Sequence, residues 1–403
     1  MHMLAAHYRS EFLATPQLIR FEYAKGRHAF EPTLLIKGST LLLKYIVSGV
    51  RMQLAFALLG NRLLYAVKVY DDERAGILWS LLEHDKEKAA IAALVDGEAC
   101  QVFLFNELAV NVAWAALPVS PEPGLQAMIA EAAVGSVSHS ALKNDALEVL
   151  DRFHTESMSG AGLIVVEVAS TSAWNPISND FITSHATASP INLFGQNEGD
   201  QQEQMAVWLT DELHPRGVHH SPQVPKGDGL RELTDILISY EFGTTLLESK
   251  ALTILARDNL PNRSKLLRNM SDHITKAIKQ LRGAVRQLKR GTPVTSKDGI
   301  LLNIERTNPM HGIVLIPDLE LIEDRNAYGL PIIKDFMQDT GGFIHLLDIA
   351  ELLRVVQGAG MIAARDAETT LMRAFDYLLI ERAKRAISAG TLCIEILHRF
   401  ADE

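Results

Sequence analysis

Cysteine is almost absent: Cys100 and Cys393 are the only two in 403 residues. Their distance apart in sequence excludes a disulfide scaffold and a zinc ribbon, and points to a reducing, cytoplasmic setting. Long apolar runs are also missing, because charges or glycine break each apolar stretch before it reaches membrane-spanning length. The opening Met1-His2-Met3-Leu4-Ala5-Ala6-His7 lacks the basic start and long apolar core of a signal peptide. No membrane partner is expected. There is no internal repeat. Ser157-Met158-Ser159-Gly160-Ala161-Gly162 carries neither a Walker lysine nor a G-x-S-x-G elbow, which argues against a nucleotide triphosphate site and a serine hydrolase. His214, His219 and His220 stand near Pro215 and Pro222 without metalloprotease or zinc-finger spacing. They read as incidental histidines of a surface loop.

A net positive charge is lacking too. The chain carries −10, which on its own argues against nucleic acid. The distribution reverses that inference. From Lys250 to Arg290 eleven basic residues face only Asp258 and Asp272, a local charge of +9 that leaves −19 for the rest. A basic face binds phosphates, while an acidic remainder limits loose attachment elsewhere.

Three stretches organise the chain. Residues 1–169 read as a separate α+β domain. Its expected strands are Leu18 to Tyr23, Thr33 to Ile36 and Leu163 to Val168, with a hairpin on Gly60-Asn61. Helices are expected over Gly76 to Leu94 and Ser140 to Phe153, the latter with serine caps available. Residues 170–198 are rich in Ser, Thr, Asn, Gln and Gly and read as a polar linker or a long ordered loop. Residues 199–403 form the second domain. There Leu267, Met270, Ile274, Ile278, Leu281, Val285 and Leu288 recur at helical spacing and mark a buried helix face. Buried strands follow over Gly312 to Asp318 and Phe343 to Asp348, then a helix with Leu352 and Val355. A last helix is expected over residues 366–389, with Asp366 as its cap and a Leu371, Phe375, Leu378, Leu379 stripe available for packing or for a dimer face.

The most informative residues are Asp235, Glu248 and Lys250. Two apolar, strand-like runs, Arg231 to Ile238 and Leu246 to Lys250, flank a short turn at Glu241-Phe242-Gly243. In a strand, residues two apart share a face, so Glu248 and Lys250 project side by side. A hairpin turning about Glu241 and Phe242 sets Asp235 across from Glu248. Two carboxylates that close repel each other unless a cation lies between them. Hard oxygen ligands suit Mg²⁺ or Mn²⁺.

Asp235 followed by Glu248-Ser249-Lys250 resembles the PD-(D/E)XK nuclease superfamily, the restriction-endonuclease-like fold. The residue before the acid is Thr234 where the motif's name has proline. The resemblance covers roughly residues 198–360. It implies a mixed sheet flanked by helices, so the expected class is α/β (α+β) with a separate N-terminal α+β domain. It implies that Asp235, Glu248 and the Ser249 carbonyl hold Mg²⁺ or Mn²⁺, that Glu203 on a preceding helix joins the metal shell, and that Lys250 is catalytic. It also implies that Lys276 or Gln280 on the following helix faces the site. Lys276, Lys279, Arg282, Arg286 and Lys289 form the expected nucleic-acid face, with DNA favoured over RNA. The implied activity is endonucleolytic phosphodiester hydrolysis. Cutting a duplex calls for two sites, hence a homodimer or higher homo-oligomer. Because a free nuclease harms its own cell, the first domain is expected to sense a ligand or partner protein and gate cutting, as in defence against phage or plasmids. The competing reading is a nuclease fold that binds nucleic acid, or serves as an assembly subunit, without cutting.

Overall fold

The computed structural model describes residues 4, 6–26, 29–71, 75–120, 122–135, 142–155, 162–169, 171, 173–184, 188–195, 197–252, 254, 261 and 263–395. Two compact units emerge: Met1–Asn179 with Asn192–Phe194, and Asp180–Ile191 with Gly195–Glu403. Expectations that fall on Ser140, on 157–161, and on Arg257 and Asp258 lie outside the described residues.

The first unit contains, in chain order, α1 (Ala6–Ala14), β1 (Leu18–Lys25), β2 (Phe30–Lys37), α2 (Thr40–Val47), β3 (Met52–Leu59), β4 (Arg62–Val69) and β5 (Gly76–Leu81). It continues with α3 (Asp85–Val95), β6 (Cys100–Phe105), β7 (Asn111–Leu117), α4 (Pro123–Glu131), α5 (Lys143–His154), β8 (Leu163–Val168) and β9 (Asn175–Pro176). One sheet runs β1-β2-β6-β7-β9 and a second runs β5-β4-β3-β8. The expected hairpin is present: β3 and β4 close with Leu59 opposite Arg62, and Gly60 takes a left-handed φ of 62° that a side chain would oppose. The expected helix over Gly76 to Leu94 is instead a strand and a helix. Residues 76–81 complete the sheet against β4, with Gly76 opposite Val69 and Leu81 opposite Leu64. The helix begins only where the Glu87 carboxylate accepts from the His84 amide at 2.9 Å. The buried Arg20 guanidinium donates to Ser80 Oγ at 2.6 Å and to the Leu81 carbonyl at 3.0 Å, and Glu11, Glu83 and Glu87 answer its charge.

The stretch 170–198 is more structured than its composition suggested. Besides β9 it holds β10 (Asn179–Ile182) and β11 (Ala188–Ile191), which form a two-stranded sheet, and α6 (Glu198–Asp211) already begins at its end. Polar side chains here bond locally rather than solvating a free chain: Ser184 N and Oγ both donate to the Asp211 carboxylate.

The second unit continues with β12 (Gly217–His220), β13 (Gln223–Lys226), β14 (Gly229–Glu232), β15 (Ile236–Tyr240), β16 (Gly243–Ser249), α7 (Arg263–Lys289), β17 (His311–Ile316), α8 (Leu330–Thr340), β18 (Phe343–Asp348), α9 (Ile349–Arg365) and α10 (Leu371–Ala389). Its central sheet runs β12-β15-β16-β17-β18. The pairs are antiparallel as far as β16 and parallel from there to β18. A parallel neighbour needs a crossover, and α7 supplies it between β16 and β17. The fold class is therefore the expected mixed α/β sheet flanked by helices. The expected helix, antiparallel hairpin, helix, strand and strand are present in that order, with β12 to β14 interposed after α6 and α8 between the last two strands. Every residue of β15 and β16 is buried, as continuous apolar runs between two helical layers require.

Two expectations near the C-terminus change. Asp366 ends α9 instead of starting the last helix, and Thr370 Oγ1 accepts from the Arg373 amide at 3.2 Å to cap α10. The α10 stripe divides. Phe375 and Leu379 are fully buried where α10 packs on α9 and β18, so these two side chains are taken up within their own chain. Leu371 and Leu378 are half-buried, and Tyr377 and Ile387 are exposed. Arg382 of α10 is buried as well: its Nη2 donates to the Leu346 carbonyl at 2.8 Å, which satisfies the guanidinium against the sheet.

Candidate active site

The β15–β16 hairpin builds the site. Tyr240 lies opposite Gly243 and Ile236 opposite Leu247, so Glu241 and Phe242 form the turn. One register step further along, Asp235 falls across from Glu248. Glycine is required at 243, because a Cβ there would meet the Tyr240 ring at 2.4 Å.

Asp235, Glu248 and Lys250 come together at the open end of this hairpin. Lys250 Nζ donates to Glu248 Oε2 at 2.8 Å and lies 3.6 Å from Asp235 Oδ2. The same Asp235 oxygen accepts from the Ser249 amide at 2.6 Å. Burial raises the Asp235 carboxyl to about 6 against the pull of Lys250, with the charge of Glu203 adding to the rise. Burial and then the Asp235 charge raise Glu248 to about 7, again against Lys250. Lys250 is held above its usual value: burial opposes its charge, and Glu248 and Asp235 outweigh that. One ammonium thus answers two carboxylates that the fold has drawn out of water.

An open cleft of about 280 Å³ reaches this group. Its walls are Arg231 to Asp235, Glu248, and Lys279, Gln280 and Gly283 of α7. Of the two α7 candidates, Gln280 lines it and Lys276 does not; both are exposed. The basic stripe divides. Lys279 lines the cleft, whereas Arg282 and Arg286 reach Asp339 Oδ2 at 3.5 and 3.0 Å. Lys289 is exposed farther along the helix.

The opposite face of the sheet is held by α6. Successive strand residues point to opposite faces, so Ser249 turns away from the Glu248 side. There Gln202 Nε2 donates to Ser249 Oγ at 2.9 Å and to the Leu315 carbonyl at 3.2 Å. Glu203, the next residue, bonds His220 Nε2 at 2.6 Å. Glu203 therefore touches Asp235 through its charge, while its hydrogen bond goes to a histidine.

Three contributors were not singled out from the sequence. Gln202 anchors β16 and β17 to α6. Thr234 Oγ1 donates to the Leu247 carbonyl at 2.8 Å and fixes the strand entry beside Asp235. His220, expected in a surface loop, belongs to β12, opposite Ile236. Prolines at 215 and 222 bracketing a short run are the available signal for a strand. His311, the first residue of β17, is buried between His345, 3.0 Å from its Nδ1, and Asp376, 3.3 Å from its Nε2.

No family model matches the chain, and no curated protein does. Among solved structures, the small subunit of a heterodimeric restriction endonuclease is similar at 14% identity and a TM-score of 0.27, over 50% of this chain and 84% of that one. A likeness this slight carries no argument for fold or activity, which rest on the geometry above. Among the described residues, no helix is long and apolar enough to cross a membrane.

Proposed function

We propose that the chain is a metal-dependent nuclease that hydrolyses phosphodiester bonds, with DNA the favoured substrate. The observation that carries this reading is the meeting of Asp235 and Glu248 in the wall of one cleft, with Lys250 2.8 Å from Glu248 and 3.6 Å from Asp235. A sheet gains nothing in stability from a buried carboxylate, Glu248, set across from a half-buried one, Asp235. The donor set fits a hard cation: carboxylate oxygens from Asp235 and Glu248, to which the Ser249 carbonyl would add a third oxygen. Mg²⁺ or Mn²⁺ held there would lower the pKa of a bound water and stabilise the charge that grows on the phosphate oxygens.

The remaining work falls to side chains. Lys250, released from Glu248, orients the attacking water and stabilises the same developing charge. Gln280 presents an amide to the scissile phosphate, and Lys279 attracts the neighbouring backbone phosphates. Glu203 contributes from an outer position through its charge. Cutting both strands of a duplex would engage two copies of the chain. In this reading the first unit controls access to the second, as anti-phage or anti-plasmid defence would require.

The test is cleavage of supercoiled plasmid, single-stranded DNA and RNA by purified protein in Mg²⁺, Mn²⁺ or EDTA. Asp235→Asn and Glu248→Gln should each abolish divalent-dependent cutting. Cutting that persists in both variants or in EDTA would reject the reading. A protein that binds DNA without cutting it in either metal would support the non-cutting alternative.

A further inference from the structure

A second cluster of ligating groups lies on the α6 side of the sheet. Asp200 and Glu203 stand three residues apart on α6 and so share one face of that helix. His220 reaches them from β12. One ligand atom from each of the three falls within 4.8 Å of the other two. The set combines two carboxylate oxygens with an imidazole nitrogen and spans two elements, so it is more than the acidic first turn common in helices. Among the described residues, neither carboxylate is ion-paired to a lysine or arginine. The sole cationic partner is His220, 2.6 Å from Glu203 and charged only when protonated. Glu203 and His220 are half-buried while Asp200 is exposed, which leaves one side of the cluster open to an arriving ion.

We propose that Asp200, Glu203 and His220 form a second metal site, selective for a divalent transition ion such as Mn²⁺ or Zn²⁺ over Mg²⁺. The geometry is close to what binding demands. Ligand atoms at roughly 2.0–2.2 Å from a shared ion lie about 3–4 Å from one another. Asp200 starts within 4.8 Å of both partners and must draw in, and the 2.6 Å Glu203–His220 hydrogen bond must open. Exposed rotamers on a helix surface move that far easily. Three ligands leave positions for water, so the ion would keep an open face. Selectivity follows from the imidazole: Mg²⁺ prefers oxygen and sheds water reluctantly, whereas nitrogen ligands favour transition ions. This site shares Glu203 with the outer reach of the cleft but uses neither Asp235 nor Glu248, so it is tested apart from cleavage through Asp200 and His220. Its consequence is that the same chain would respond to one cation at the cleft and to another on the reverse face of the sheet.

The experiment is a Co²⁺ titration of the full chain in a large excess of Mg²⁺, followed by the visible d–d absorption that imidazole ligation shifts. Wild type should take up one Co²⁺ per chain. His220→Ala and Asp200→Asn should each weaken that binding at least tenfold, with the thermal midpoint unchanged. Asp200 is exposed, so its variant stays informative even if His220→Ala folds poorly. The double variant Asp235→Asn, Glu248→Gln should retain the Co²⁺ site. Absence of Co²⁺ binding in wild type would overturn the proposal, as would binding unaffected by both Asp200→Asn and His220→Ala. Loss of binding in the double variant would instead assign the ion to the cleft. Cleavage in Mg²⁺ is a separate readout, so failure of either inference is seen apart from the other.

Discussion

Lys250 stands 2.8 Å from Glu248 and 3.6 Å from Asp235, so a single ammonium balances both acids of the cleft. If a cation takes over that balancing, the lysine becomes available to the reacting phosphate. Lys250→Ala should therefore cut plasmid at least ~100-fold more slowly, the scale on which a lost transition-state donor is felt. In saturating Mg²⁺, where the cation balances both acids, the thermal midpoint should change little, and divalent-ion binding should persist. A plasmid-relaxation time course beside a Mn²⁺ titration checks this; wild-type cutting rates would remove Lys250 from the chemistry.

The division of the basic stripe predicts unequal effects along α7. Lys279 lines the cleft, while Arg286 is held 3.0 Å from Asp339. Lys279→Glu should weaken DNA binding and flatten its log–log salt dependence by about 0.9 per lost duplex contact. Arg286→Glu should act less, because its charge is already spent within the protein. Fluorescence anisotropy over a range of salt concentrations measures both slopes, and a larger change at 286 would move the binding face away from the cleft.

Asp348 predicts a pH effect on stability. Burial, then the neighbouring Asp318, raises its carboxyl from 3.8 to about 7, against the hydrogen bonds it accepts from Glu351 N and Leu319 N. The folded state thus keeps a proton that the unfolded chain releases. This contribution to stability is complete below pH 3.8 and disappears as pH rises through about 7. Unfolding in urea between pH 5 and 8 should show wild type losing on the order of 1–2 kcal/mol relative to Asp348→Asn, a discounted figure because the side chain is not wholly sealed. A constant difference between the two proteins across that range would contradict the assignment.

Phe375 tests the position of α10. It is fully buried within its own chain, so Phe375→Asp should unfold or severely destabilise the second unit, and even Phe375→Ala should cost about 3–5 kcal/mol. Circular dichroism and light scattering together decide the point. A folded monomer from Phe375→Asp would mean that the helix is an interface after all.

Local pattern carried the hairpin and α7. Alternating and continuous apolar runs around Glu241-Phe242 fix a register, and a two-residue turn leaves Asp235 facing Glu248 whatever surrounds it. The apolar spacing from Leu267 to Leu288 likewise marks one buried face of α7. Composition misled where tertiary pairing overrode it. Residues 76–81 carry enough apolar character to suit either a helix or a strand, and β4 decided for the strand because its edge needed a partner. The polar residues of 170–198 suggested a linker, yet their side chains found local acceptors.

The sequence by itself determined which residues could do chemistry: two acids, one lysine at a two-residue spacing, and a basic helix after them. Those assignments depend on chain-local geometry, the period of a strand and the symmetry of a turn. Packing settles which basic residues face the cleft, that Asp339 engages Arg282 and Arg286, that Phe375 and Leu379 of α10 are buried, and that His220 meets Glu203. Each of these contacts joins elements distant in sequence, and charge or hydrophobicity read along one chain does not say which faces packing will bring together.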